Sequence, residues 1–180
     1  SKDRFSKESI SGMVAARKAA RLVPAPPPRQ AGAIVRGDEA IERWLDHYWN
    51  KLALPNQELS HLAITQDRRE FTCWTGKRLN GMALGCYCYL PASSASRRSL
   101  LAHLPVAAEL KLSLPGHRHL IFIEPEMQQR SIEVTVAHEL IHLSDRVNGT
   151  PRRHQHHGYD SIAADEAAIT GYSLEELRLL

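Results

Sequence analysis

The feature that most constrains this chain is the run from Ile132 to Val147. Ile132, Val136, Leu140, Leu143 and Val147 recur at helical spacing, with Ser131 placed to cap the start and Asn148-Gly149 to stop the end. His138, Glu139 and His142 sit in its middle, among Val134, Val136, Ala137, Leu140 and Ile141. Polar groups in so apolar a helix are costly unless something pairs with them. Four residues make about one turn, so His138 and His142 share a face and both imidazoles can reach one ion. Glu139 projects about 100° further round, beside the ion rather than onto it. From there it can take a proton from a water that the ion polarises, the mechanical logic of the HExxH pattern. With 10 His in 180 residues, composition alone predicts about 0.04 chance matches to that pattern. Zn²⁺ is the ion expected, with Glu139 as the catalytic base.

A catalytic zinc usually takes three protein ligands and keeps a position for water. Two residues compete for the third place. His157 lies in the cluster His154-Gln155-His156-His157-Gly158, where His154 and His156 are further candidates. Glu166 falls on a short helix expected over 161–170, on the face of Ile162 and Ile169. A carboxylate turned inward there wants a cation or hydrogen-bond donors, which suits a ligand or a residue that orients one. His47, His61, His103, His117 and His119 read as surface or packing residues.

The rest of the chain reads as one α+β domain, residues 37–180, behind an N-terminal segment 1–36. Eight Lys/Arg against Asp3 and Glu8 give that segment +6 within a total of +3, so the remainder is mildly acidic. A helix over 6–22 and a stiff spacer at Pro24-Ala25-Pro26-Pro27-Pro28 are expected within it, and the segment as a whole reads as a flexible basic arm. Such an arm suits either a polyanion such as nucleic acid or plain solvent. Asp38 can cap a helix to about Leu52, with Ile41, Trp44, Leu45, Tyr48 and Leu52 on its inner stripe. Strands are expected over 61–66, 70–75, 82–90 and 119–124, the second and third joined as a hairpin through Gly76 to Gly81. Gly171 and Ser173 divide the C-terminal region into two helices. Three cysteines make an odd set, and Cys86 and Cys88 fall on one face of a strand. Reduced thiols and an intracellular location are therefore expected, with no membrane span and no secretory leader.

Residues 40–158 resemble the SprT-like family of zinc peptidases, which includes the Spartan-type proteases of DNA–protein crosslinks. The resemblance rests on order: the aromatic helix Trp44-Leu45-Asp46-His47-Tyr48-Trp49-Asn50, strands, a strand ending in Glu124-Pro125, then His138-Glu139-Leu140-Ile141-His142. His157-Gly158 matches the family's third ligand, a His followed by Gly one short loop past the motif. The resemblance implies a zincin-like domain with a small mixed or antiparallel sheet, zinc on His138, His142 and His157, and hydrolysis of protein or peptide substrates, with DNA as a partner or activator. Tyr159, His154, His156 and Arg152 are candidates to help the developing oxyanion. The chain departs from the family pattern at Tyr159-Asp160-Ser161 and in the long segment 91–118. Asp165-Glu166-Ala167-Ala168 is similar to the glutamate-bearing helix of gluzincins. With Glu166 as third ligand, the expectation becomes a regulatory peptidase that cleaves one specific partner. A non-catalytic zinc-stabilised binding module is the remaining alternative. Oligomeric state is not legible.

Overall fold

A computed structural model of the protein describes residues 32–91, 116–127, 129–152 and 161–179. The expected helix over 6–22, the proline spacer and the histidine cluster with His157 lie outside these residues. The sheet is mixed. Its four strands are β1 (Ile34–Arg36), β2 (Leu62–Thr65), β3 (Gly85–Tyr89) and β4 (His119–Ile123), in the order β1-β2-β4-β3. β1, β2 and β4 are parallel, and β3 runs antiparallel to β4 with Cys86 opposite Phe122 and Tyr87 opposite Ile121. β2 and β4 are buried along their whole length, as central parallel strands covered on both faces should be. β1 carries the sheet slightly across the boundary expected at residue 36, because Ile34 and Val35 pair with Ala63 and Ile64.

Alternation along the strands divides the core in two. Ile64, Ile121 and Ile123 face one side, where they meet Ile41, Leu45 and Tyr48 of α1 (Glu39–Lys51) and Val136, Leu140 and Leu143 of α3 (Gln129–Val147). Ala63, Leu120 and Phe122 face the other side, against Phe71 and Trp74 of α2 (Arg68–Thr75). Cys86 and Cys88 pack together toward this second face, as their spacing predicts, and all three cysteines are free. The chain closes with α4 (Ser161–Thr170) and α5 (Leu174–Arg178), and Ser173 and Glu176 form a reciprocal capping box on α5. No helix among the described residues is long and apolar enough to cross a membrane.

α1 starts where expected, with the Asp38 carboxylate accepting from the Ala40 amide at 2.8 Å. α2 is a correction: residues 70–75 were expected as a strand and are helical. Phe71, Thr72, Cys73, Trp74 and Thr75 have strand-prone side chains, but the segment's ends decide its conformation. The Asp67 carboxylate accepts from the amides of Arg69 and Glu70 at 2.8 and 3.2 Å, and Gly76 closes the helix at φ 67°. That left-handed conformation is open to glycine at little cost. The expected hairpin through 76–81 is therefore absent, and β3 finds its partner in β4 instead. Arg68 fixes the approach to β3, donating to Glu124 Oε2 at 2.5 Å, to the Ala83 carbonyl at 2.6 Å and to the Asn80 carbonyl at 3.0 Å. α3 also begins earlier than expected, so Ser131 lies in its first turn rather than capping it.

Candidate metal centre

α3 places its inner face on the sheet and turns His138, Glu139 and His142 toward an open cavity of about 630 Å³. Leu84 and, in β3, Gly85, Cys86 and Tyr87 form the opposite wall, and Glu166, Pro151 and Arg152 close one side. Candidate ligand atoms of His138, Glu139 and His142 all lie within 4.8 Å of one another. The two Nε2 atoms face each other at 3.2 Å, with the rings edge to face. Two imidazole nitrogens converging in this way are well matched to a shared divalent ion, which takes a lone pair from each.

Glu139 is 3% exposed. Burial pushes its carboxyl up to about 7, the neighbouring Glu166 carboxylate adds to the shift, and His138 opposes it. A carboxyl so tuned exchanges protons near neutral pH, where an acid–base group is most effective. Gly85 lets Glu139 lie this close to β3: a Cβ there would come within 2.5 Å of Thr135 Cγ2, 3.0 Å of Glu139 Oε2 and 3.3 Å of the Phe122 carbonyl. Cys86 is no competing nucleophile, since burial with help from Glu139 and Cys88 holds its thiol up at about 11.

Glu166 comes to the site from α4, as the inward face of that helix predicts. Its Oε1 contacts His138 Nδ1, the ring nitrogen on the far side from the Nε2 pair. α4 is tied to the end of α3 by Arg152, whose Nε and one terminal nitrogen meet the Asp145 carboxylate at 2.8 and 3.0 Å. The same terminal nitrogen reaches Asp165 at 2.6 Å. Arg152, expected as a candidate for the oxyanion, is thus engaged in joining two helices. His157, His154, His156 and Tyr159 fall outside the described residues.

Two features of the site were not anticipated. Tyr87 donates its hydroxyl to His119 Nδ1 at 2.7 Å, and His119 Nε2 donates to Glu58 at 2.9 Å, an assignment that follows because a carboxylate only accepts. Burial lowers the affinity of His119 for a second proton, and the Glu58 hydrogen bond only partly opposes this. Arg146, one turn beyond His142, also lines the cavity; helical spacing alone could have found it. Comparison with protein-family models, curated proteins and solved structures returned no match for this chain.

Proposed function

We propose that this protein is a zinc-dependent endopeptidase with a zincin-like site of the SprT-like type. The observation that carries the reading is the convergence of His138 Nε2 and His142 Nε2 beside a buried glutamate, at the floor of an open cavity. His138 and His142 would hold the metal, with His157 as the third ligand. When bound, zinc would supply Lewis acidity toward a water and toward the peptide carbonyl. Glu139 takes the proton of the attacking water on its carboxylate and returns it to the departing amine. Glu166 holds His138 in orientation through Nδ1, the usual arrangement for a metal-ligating histidine, whose second nitrogen meets a carboxylate.

A peptide substrate suits the walls of the cavity. Among the described residues β3 pairs only with β4, so its other edge can take an extended chain by main-chain hydrogen bonds. The basic segment 1–36 is the part of the chain suited to nucleic acid, and DNA association is proposed on that composition alone.

A second reading follows from the approach of Glu166 to His138. In it Glu166 is the third ligand, and the protein is a regulatory peptidase of the gluzincin type. The contact on Nδ1, away from the Nε2 pair, favours the orienting role. The peptidase reading is tested by incubating the full chain with a denatured protein and a mixed peptide library. One equivalent of zinc should support cleavage, a strong chelator should stop it, and added zinc should restore it. Cleavage indifferent to chelator would contradict the reading.

A further inference from the structure

The cavity has a direction. Gly85, at the start of β3, lies against Thr135 and Glu139, while Tyr89, at its end, lies under Arg146. β3 and α3 therefore run side by side, with the histidine pair toward one end and Arg146 toward the other. Arg146 is exposed, and its guanidinium carbon sits 4.7 Å from the centre of the Tyr89 ring. Among the described residues no carboxylate pairs with it, in contrast to Arg152, which Asp145 and Asp165 occupy. Stacking on an aromatic face sets the plane of a guanidinium while leaving its edge donors free for a planar, two-oxygen partner. An arginine held this way, on the cavity wall and with no acidic partner among the described residues, is prepared for a carboxylate brought by a ligand.

We propose that Arg146 sets the specificity of this cleft by binding a carboxylate of the substrate peptide, an inference that rests on the peptidase reading above. Four residues of helix separate Arg146 from His142, about 6 Å along the axis. An extended chain advances about 3.3 Å per residue, so the preferred carboxylate lies about two residues from the bond that is cut. Because Arg146 stands at one end of the cavity, the preference falls on one side of that bond only. The carboxylate is either an acidic side chain or the terminal carboxylate of a short peptide.

Binding tests this independently of hydrolysis. Fluorescent peptides carrying Glu or Gln at each of the three positions on either side of a cleavable bond are titrated into the zinc-loaded Glu139→Gln chain. Each is made with a free and with an amidated C-terminus. One Glu position, or the free terminus, should tighten binding by about 10-fold, as charge-assisted hydrogen bonds do. Persistence of the preference in amidated peptides assigns the side chain, and its loss on amidation assigns the terminus. Arg146→Gln in the same background should abolish the preference. Arg146→Lys, which keeps the charge but not the planar fork, should retain only part of it. Equal affinity for the Glu and Gln peptides, or an unchanged ratio in Arg146→Gln, overturns the proposal. If the parent cleaves no peptide, the peptidase reading fails, while the affinity ratio still decides the role of Arg146.

Discussion

Replacing Glu139 by glutamine is expected to lower kcat for peptide hydrolysis by about 10²–10⁴-fold, the range associated with loss of a positioned general base. Glutamine has nearly the same shape, so it fits the space that Gly85 and Thr135 leave. It cannot take up a proton. Zinc affinity should stay within a few-fold of the parent, because the two facing Nε2 atoms belong to His138 and His142. Folding stability should hold or rise, since Glu139 is 3% exposed and its ionised form is penalised by burial. Steady-state cleavage of a fluorogenic peptide, zinc content and thermal unfolding of the purified variant read the three quantities. Cleavage within about threefold of the parent contradicts the role given to Glu139.

The second large effect concerns Glu133, which is fully buried in α3 on the side away from the cavity. Its carboxylate accepts hydrogen bonds from Tyr48 of α1 at 2.5 Å and from Tyr172, between α4 and α5, at 3.1 Å. One side chain thus joins the site helix to the element beneath it and to the end of the segment that brings Glu166. Glu133→Ala strands two buried hydroxyls, each costing about 1–3 kcal/mol, and leaves a void besides. The expected loss is about 3–5 kcal/mol, seen as a fall in Tm of about 10 °C. Tyr48→Phe and Tyr172→Phe each remove one bond and should cost about 1 kcal/mol. Chemical denaturation of the three variants measures this. A loss under about 1 kcal/mol in Glu133→Ala would mean that the network contributes little to the fold.

Much of this architecture is written locally. The stripe Ile41, Trp44, Leu45 and Tyr48 behind Asp38 gives α1, and the buried run Leu120-Ile121-Phe122-Ile123 gives β4. The apolar context of His138 and His142 gives α3. α2 was misread because its residues favour strand on average, while Asp67 and Glu70 form a helix-start pattern that outweighs them. The hairpin error followed from it, since pairing partners are set by the whole sheet. β2 passes over β3 in sequence to join β4, which leaves β3 at the sheet's edge beside β4. At the site, His138, Glu139 and His142 were legible because helical spacing places them together. Glu166 was legible as an inward carboxylate, but its approach to Nδ1 of His138 depends on how α4 docks, through Arg152, on α3. The Glu133 network and the need for glycine at position 85 arise between distant segments, and local pattern carries no trace of either.

The most direct test of the central claim is a zinc-affinity measurement by chelator competition on the full chain. The account predicts one tightly bound zinc per chain in the parent, and a loss of affinity in His138→Gln and His142→Gln greater than the roughly 10–100-fold that removing an orienting partner costs. It predicts a comparable loss in His157→Gln and a smaller one in Glu166→Gln, as befits a residue that orients a ligand. A larger loss in Glu166→Gln than in His157→Gln would transfer the third place to Glu166. A parent chain that binds no zinc, or variants that bind it as tightly as the parent, would contradict the account.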